Sequence, residues 1–299
     1  MNRTLSITAA LFATLCARLV ASPLDEATVS RVVKEVTLAA PPAKPRRAVE
    51  QLVMRAGEDL RVGPRSRVEL LFPDQTLARL GAETELALRG GSRELTLARG
   101  TLLLEVPGFR GGARVRLGSL IAVAGAATIL VEHLPAQSVK IVVLAGDLRV
   151  CVAGFLGDSI VIPPGKMLIT APDVQRLPDP VDVDLSTLVK TSALIDAATF
   201  AAGASPLASL PRIEREIARQ AGFVKVKRLI PTNLAIVGSG TSVVIPGQAG
   251  AGATEETVTQ GNRVVVGGRN ETAIPNSAGI AAHRSPAEAL DEENSLPQP

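Results

Sequence analysis

From about Gln51 the chain alternates, residue by residue, between apolar and polar side chains, and this period of two constrains the fold more than any other feature. Val68, Leu70 and Phe72 fall on one face of an extended segment, with Arg67 and Glu69 on the other. Thr84, Leu86 and Leu88 alternate in the same way with Glu83, Glu85 and Arg89. The pattern continues through Leu95 and Leu97, through Leu102, Leu104 and Val106, and through Val115 and Leu117 with Arg114 and Arg116 between them. Turn signals interrupt it at short intervals: Pro73-Asp74, Gly90-Gly91, Gly100, Gly108, Gly111-Gly112, Gly146-Asp147 and Pro163-Pro164-Gly165. Short strands at such spacing predict a mainly β chain, an antiparallel sandwich or jelly roll. Val139 to Leu144 is apolar on both faces apart from Lys140, as expected of a buried central strand or one covered by an extension.

The charged positions of the segment "RVGPRSRVELLFPDQTLARLG", Arg61 to Gly81, then read as a solvated sheet face. Opposite charges side by side keep strand edges from pairing with other chains. Arg65, Arg67 and Arg79 are the candidate interaction face. Composition narrows what such a face would meet. The chain has six Phe and no Tyr or Trp, the side chains that stack best on sugars and single-stranded bases. Its 32 Lys and Arg against 29 Asp and Glu make no concentrated field. Nucleic acid is therefore not an expected partner. With 46% hydrophobic residues in 299, there is ample material for a core.

Residues 1–21 have the layout of an export signal: Arg3, an apolar run from Leu5 to Leu15, and small residues at Ala17, Ala21 and Ser22, with cleavage expected after Ala17 or Ala21. The run is short for a membrane span. Cys16 suggests a lipoprotein as an alternative, but Leu15 stands where a lipobox needs a small residue. Cleavage would leave Cys151 without an internal disulfide partner, a buried small hydrophobe in an apolar strand. Residues 22–48 read as a Pro/basic linker, centred on "AAPPAKPRR" at Ala39 to Arg47.

Gly57 to Leu70, then Phe72-Pro73-Asp74, Leu80-Gly81 and Thr84-Glu85-Leu86, resemble the opening of the FecR domain: a glycine, a turn of the "TGPxSR" kind, an alternating strand, "DG" and a leucine-rich return. Leu97-Ala98-Arg99-Gly100-Thr101-Leu102 looks like that family's "LxxGxL" step. Val123 to Glu132 and Val142 to Val150 stand where it has "VxGTxFxV" and "VxxGxVxV". The match covers a third to a half of the chain. It departs from the pattern at Asp74-Gln75, where the tight turn lacks a glycine, and at Gly125-Ala126, where a threonine hydroxyl is missing. The resemblance implies a FecR-like β domain over residues 49–172. Better-known members join it to a cytoplasmic anti-sigma segment through a membrane helix, and no second apolar run of 18 or more residues occurs here. The exported half is what the resemblance implies, a periplasmic or extracellular module in contact with another envelope component.

Residues 173–230 read as an α/β extension. Asp184 or Ser186 is placed to cap a short helix reaching Phe200, Pro211 to start a second helix closed by Gly222, and Phe223 to Ile230 to form a strand. The extension is expected to pack on the β domain or to lie mobile beside it. Residues 231–299, rich in small side chains, read as a largely flexible tail, with Val243-Val244-Ile245 and Val264-Val265-Val266 as isolated triplets able to add to a partner's sheet.

Catalytic chemistry lacks its parts. His133 and His283 are the only histidines, too few for a metal cluster or a Ser-His-Asp arrangement. His133 beside Glu132 reads as a surface histidine at a strand end, with an acid–base pair as the alternative. Glu83 and Glu85 read as solvated carboxylates, Gly108 to Gly112 as a hairpin loop without the helix that a phosphate cradle needs, and Gly238-Ser239-Gly240 as no nucleophile elbow. Asn270-Glu271-Thr272 is a glycosylation sequon by pattern. The expectation is a non-enzymatic exported module with no cofactor, no metal and no membrane span after signal removal, binding an envelope protein or polymer. The alternative is the periplasmic sensory component of a cell-surface signalling system.

Overall fold

The alternating segments form strands that pair in two sets, joined through one long strand. A computed structural model describes residues 23–108, 111–154, 159–226, 228–229, 236–237 and 243–244, all within one compact unit, Met1–Val266. The first set runs, by neighbours, β4 (Val53–Arg55), β1 (Glu26–Val33), β6 (Arg67–Leu71), β7 (Leu77–Leu80), the second half of β9 (Glu94–Glu105), β12 (Thr128–Leu134), β13 (Ser138–Ala145), β16 (Lys166–Thr170) and β17 (Val181–Asp182). The second runs β3 (Arg46–Arg47), β2 (Val36–Ala39), β5 (Asp59–Val62), β8 (Glu85–Leu88), the first half of β9, β10 (Ala113–Leu117), β11 (Leu120–Ala124), β14 (Leu148–Val152) and β15 (Ser159–Ile162).

Within these sets every neighbouring pair is antiparallel except β9 with β10. A parallel pair needs a crossover. Here the second half of β9 carries the chain into the first set, and the segment between Glu105 and Ala113 brings it back. The passage turns on Gly100, at φ +96°, where a Cβ would stand 2.5 Å from the Thr84 Cα. Only glycine fits there.

Each set buries one face in a shared cluster that includes Val29, Leu60, Leu70, Leu86, Leu97, Leu104, Val115, Ile129, Val143 and Val150. In the second set the other face meets water, and β5, β8, β10, β11 and β14 keep the strict alternation of buried and more exposed residues. In the first set β7 and β13 are buried on both faces. Their outer face is covered by the extension, whose Leu185, Leu188, Leu194, Ile195, Phe200, Leu207 and Ile213 pack on Leu77, Leu103, Leu130, Val142, Leu144, Met167 and Ile169. The two-sided apolar reading of Val139 to Leu144 thus has a specific cause.

Three segments differ from expectation. Residues 26–39, read as linker, form β1 and β2, and Ala27, Val29, Val36 and Leu38 alternate into the core. The prolines mark only the turn that follows, and even Arg46–Arg47 pairs with β2. The single helix expected up to Phe200 is two. Asp184 caps α1 (Leu185–Thr191), its Oδ1 accepting from the Thr187 amide at 3.0 Å, and Asp196 caps α2 (Ala197–Phe200). Between them Leu194 and Ile195 turn down onto the sheet. Residues 223–225, read as strand, are the last turn of α3 (Leu210–Lys225), which begins with Pro211 as expected and runs through Gly222. Arg219 lies over the Phe223 ring at 5.4 Å, a contact one helical turn apart.

Ile236–Val237 and Val243–Val244 pair with each other as β18 and β19. The export signal, the triplet at 264–266, His283, the sequon and the Gly238-Ser239-Gly240 stretch lie outside the described residues. No helix among the described residues is long and apolar enough to cross a membrane.

Candidate functional site

The three arginines of the expected interaction face do not share a surface. Arg79 is fully buried, because β7 runs beneath the extension and its outer face is no longer solvated. Its Nε donates to Glu69 Oε2 at 2.9 Å, Nη1 to the Leu194 carbonyl at 2.8 Å and the Ile195 carbonyl at 3.1 Å, and Nη2 to the Ser205 carbonyl. Phe200 covers the guanidinium at 4.9 Å. Glu69, also fully buried, accepts on Oε1 from the Ser30 hydroxyl at 2.8 Å and from the Ser205 amide and hydroxyl. Every charged atom of the pair meets a donor or acceptor, the condition under which a buried ion pair is tolerated. Arg79 and Glu69 hold the extension to the sheet.

Arg65 lies beyond that cover and Arg67 at its edge, and both line a groove of about 550 Å³ between the first set of strands and α1. Leu130, Val142, Leu188 and Leu194 provide aliphatic walls, with Gly81, Ala82 and Thr101 between them. Arg67 is half-buried, donates through Nη1 to the Thr199 carbonyl at 2.8 Å, and lies 5.6 Å from the Phe200 ring. Inside the groove, Lys140 is buried and its Nζ bonds Glu132 Oε2 at 2.9 Å, the two residues facing each other across β12 and β13.

Lys34 and Arg65 stand exposed at the mouth. Among the described residues neither side chain has a hydrogen-bond or ion-pair partner. They come from different turns, β1–β2 and β5–β6, that are tied together. Ser66 Oγ accepts from the Glu35 amide at 3.1 Å and donates to the Pro64 carbonyl, and the Gly63 amide donates to the Glu35 carbonyl at 2.9 Å. A Cβ at Gly63 would come within 3.1 Å of that carbonyl, so the glycine permits the approach.

The remaining candidates fall apart as chemistry. Glu85 lies 3.6 Å from Arg61 and 3.2 Å from Arg99, whereas Glu83 is exposed at a turn with φ +55°. His133 is not on the surface. It is 4% exposed, and its Nδ1 lies 2.7 Å from the Leu97 carbonyl. Burial holds the imidazole below its ordinary value, with the Leu97 carbonyl pulling the other way. Cys151 is half-buried on the solvent side of the second set, its Sγ 3.6 Å from the Ile121 carbonyl. Among the described residues no group of three or more His, Cys, Asp or Glu is placed to hold a metal ion.

Sequence reasoning placed Arg65 and Arg67 on one candidate face but did not bring Lys34, Glu132, Lys140, Leu188 and Leu194 beside them. Lys34 was hidden in the presumed linker. The lone lysine in the apolar run 139–144 was the one available signal, since a charge buried on both sides needs a partner.

No family model matches the chain, and no curated protein does. Two crystal structures of a candidate anti-sigma factor from Parabacteroides distasonis ATCC 8503, at 1.65 and 2.50 Å resolution, are similar to part of it, with 14% and 13% identity and a TM-score of 0.37 in each case. The similarity covers 44% of this chain and 64% and 63% of those chains, so this chain spans less than two thirds of their length.

Proposed function

We propose that this chain is an exported, non-enzymatic binding module of the cell envelope, built as a FecR-like β sandwich, and that it serves as the sensory component of a cell-surface signalling system with a separate membrane-spanning partner. The observation that carries the binding role is the groove. Among the described residues it offers two unpaired cations, Lys34 and Arg65, beside aliphatic side chains, and its one carboxylate, Glu132, is tied to Lys140. Such a lining recognises by charge and shape.

The regulatory role is supported by the FecR-like motifs and their placement. The "GPRSR" turn joins β5 to β6, the "LxxGxL" step is the kink of β9 at Gly100, and the last two motifs occupy β11–β12 and β13–β14.

The test is a crosslinking pull-down from the native envelope with the tagged mature chain, read by mass spectrometry. Recovery of a membrane-spanning regulator or an outer-membrane receptor is the expected result. Recovery of wall or surface polymer components alone would overturn the signalling role.

A further inference from the structure

We propose that the groove between the sheet and α1 binds an anionic amphiphile, an aliphatic chain ending in a carboxylate or phosphate, with Lys34 and Arg65 holding the head. The proposal rests on the reading of this chain as a binding module and names what its groove would take.

Three observations select this class of ligand. Four largely buried aliphatic side chains, Leu130, Val142, Leu188 and Leu194, line it beside four serine and threonine residues, and no aromatic ring lines the groove to stack on a sugar or a base. The strands lining it, β6, β9, β12 and β13, are each paired on both sides. No free strand edge is therefore offered to an extended peptide, whose main chain would need one. The available charge is positive and gathered at the mouth, because the buried Lys140 is tied to Glu132 while Lys34 and Arg65 have no partner among the described residues. A volume of about 550 Å³ falls in the range of small-molecule sites, roughly 300 to 1,000 Å³.

The backbone adds a fourth observation. Lys34 and Arg65 both adopt left-handed conformations, φ +65° and +52°. Glycine takes that conformation without penalty, while a side chain with a Cβ is strained in it. Two long cationic side chains thus stand at the groove mouth where the fold alone would favour glycine, a conformation that Gln51, Gln75 and Glu83 also take in turns elsewhere. Function and stability should separate at these two residues, and that separation can be measured.

The experiment is calorimetric titration of the mature chain with octanoate, decanoate and laurate below their micelle concentrations, with decanol as the uncharged control and decyl phosphate as the alternative head. Saturable binding of one carboxylate per chain is expected, tightening about three- to fourfold per added methylene. Decanol should bind at least tenfold more weakly than decanoate. Phosphate binding tighter than carboxylate would point to a phospholipid-derived ligand and weaker binding to a fatty acid, both within the proposal. The double variant Lys34→Gly/Arg65→Gly should lose at least tenfold in affinity and melt at the same temperature as the parent or above it. The proposal is overturned by absent decanoate binding, by decanol binding as tightly as decanoate, or by undiminished affinity in the double variant. A lower melting temperature in that variant would assign the two cations a structural role and overturn it as well. Failed titrations beside a successful envelope pull-down would remove the amphiphile alone, whereas decanoate binding beside a pull-down that yields only polymer would remove the signalling role alone.

Discussion

Arg79 and Glu69 show how far a single residue's role depends on what lies over it. Both belong to charged positions that alternate with apolar ones, yet both are fully buried in the finished fold. Arg79→Met would leave the Glu69 carboxylate buried without its counter-charge, at a cost of about 3 to 5 kcal/mol. Replacing both partners with apolar residues, as in Glu69→Leu/Arg79→Met, should cost less than the single change, because no isolated charge is left behind. Urea denaturation of the three proteins checks this, and a double variant as weak as Arg79→Met would contradict it. His133 gives a pH-dependent counterpart. Its folded-state value lies below the ordinary 6.5 because of burial, so below pH 6.5 the unfolded chain binds the proton more readily than the folded one. The contribution of neutral His133 is complete above that pH and is lost as the pH falls toward the folded value. Wild-type stability should therefore drop more steeply below pH 6.5 than that of His133→Gln. Equal slopes in denaturation series of the two would refute the assignment. Gln75, at φ +68° in the β6–β7 turn, takes the left-handed place that the missing glycine would have filled.

Among the elements, α3 is fastened by a group that belongs to the sheet. Its N-cap, Ser209, makes no side-chain capping bond. Glu105, at the end of β9, instead accepts from the Ser209 amide at 2.6 Å and the Ala208 amide at 3.1 Å, placing a carboxylate against the positive end of the helix. At the other side Gln220 donates to the Val183 carbonyl at 2.6 Å, which ties the middle of α3 to the segment before α1. Glu105→Ala removes the acceptor of the buried Ser209 amide and of the more exposed Ala208 amide, a loss of about 1 to 3 kcal/mol. The loss should be local: amide exchange across α3 should accelerate while β13, paired on both sides by β12 and β16, stays protected. Uniform acceleration in both would mean that the extension and the sheet open only together.

For the described unit as a whole, the extension completes the fold. Without it the outer face of the first set would expose Leu77, Leu103, Leu130, Val142, Leu144, Met167 and Ile169, an apolar patch of the kind that drives association. A chain ending at Pro180 should elute as aggregates or oligomers in size-exclusion chromatography, whereas the full chain should not. A monodisperse, stable truncated chain would show that the sheet does not require this cover. The groove exists only because the cover stops short, leaving Arg65, Arg67 and Lys34 at the open end of the same face.

Local chemistry along the chain determined the mainly β character, the turns, the Asp184 cap and the start of α3, since alternation, glycine and proline placement and capping side chains act over a few residues. The run at 139–144, apolar but for Lys140, also marked a strand buried on both faces, whether as a central strand or under an extension. Which face the extension covers, which charges it buries and where it stops were decided only in three dimensions, because a residue's solvation depends on partners more than a hundred positions away: Arg79 meets Leu194 across 115 residues and Glu69 meets Ser205 across 136. A period-two pattern can assign a side chain to a face, but only tertiary packing determines whether that face meets water.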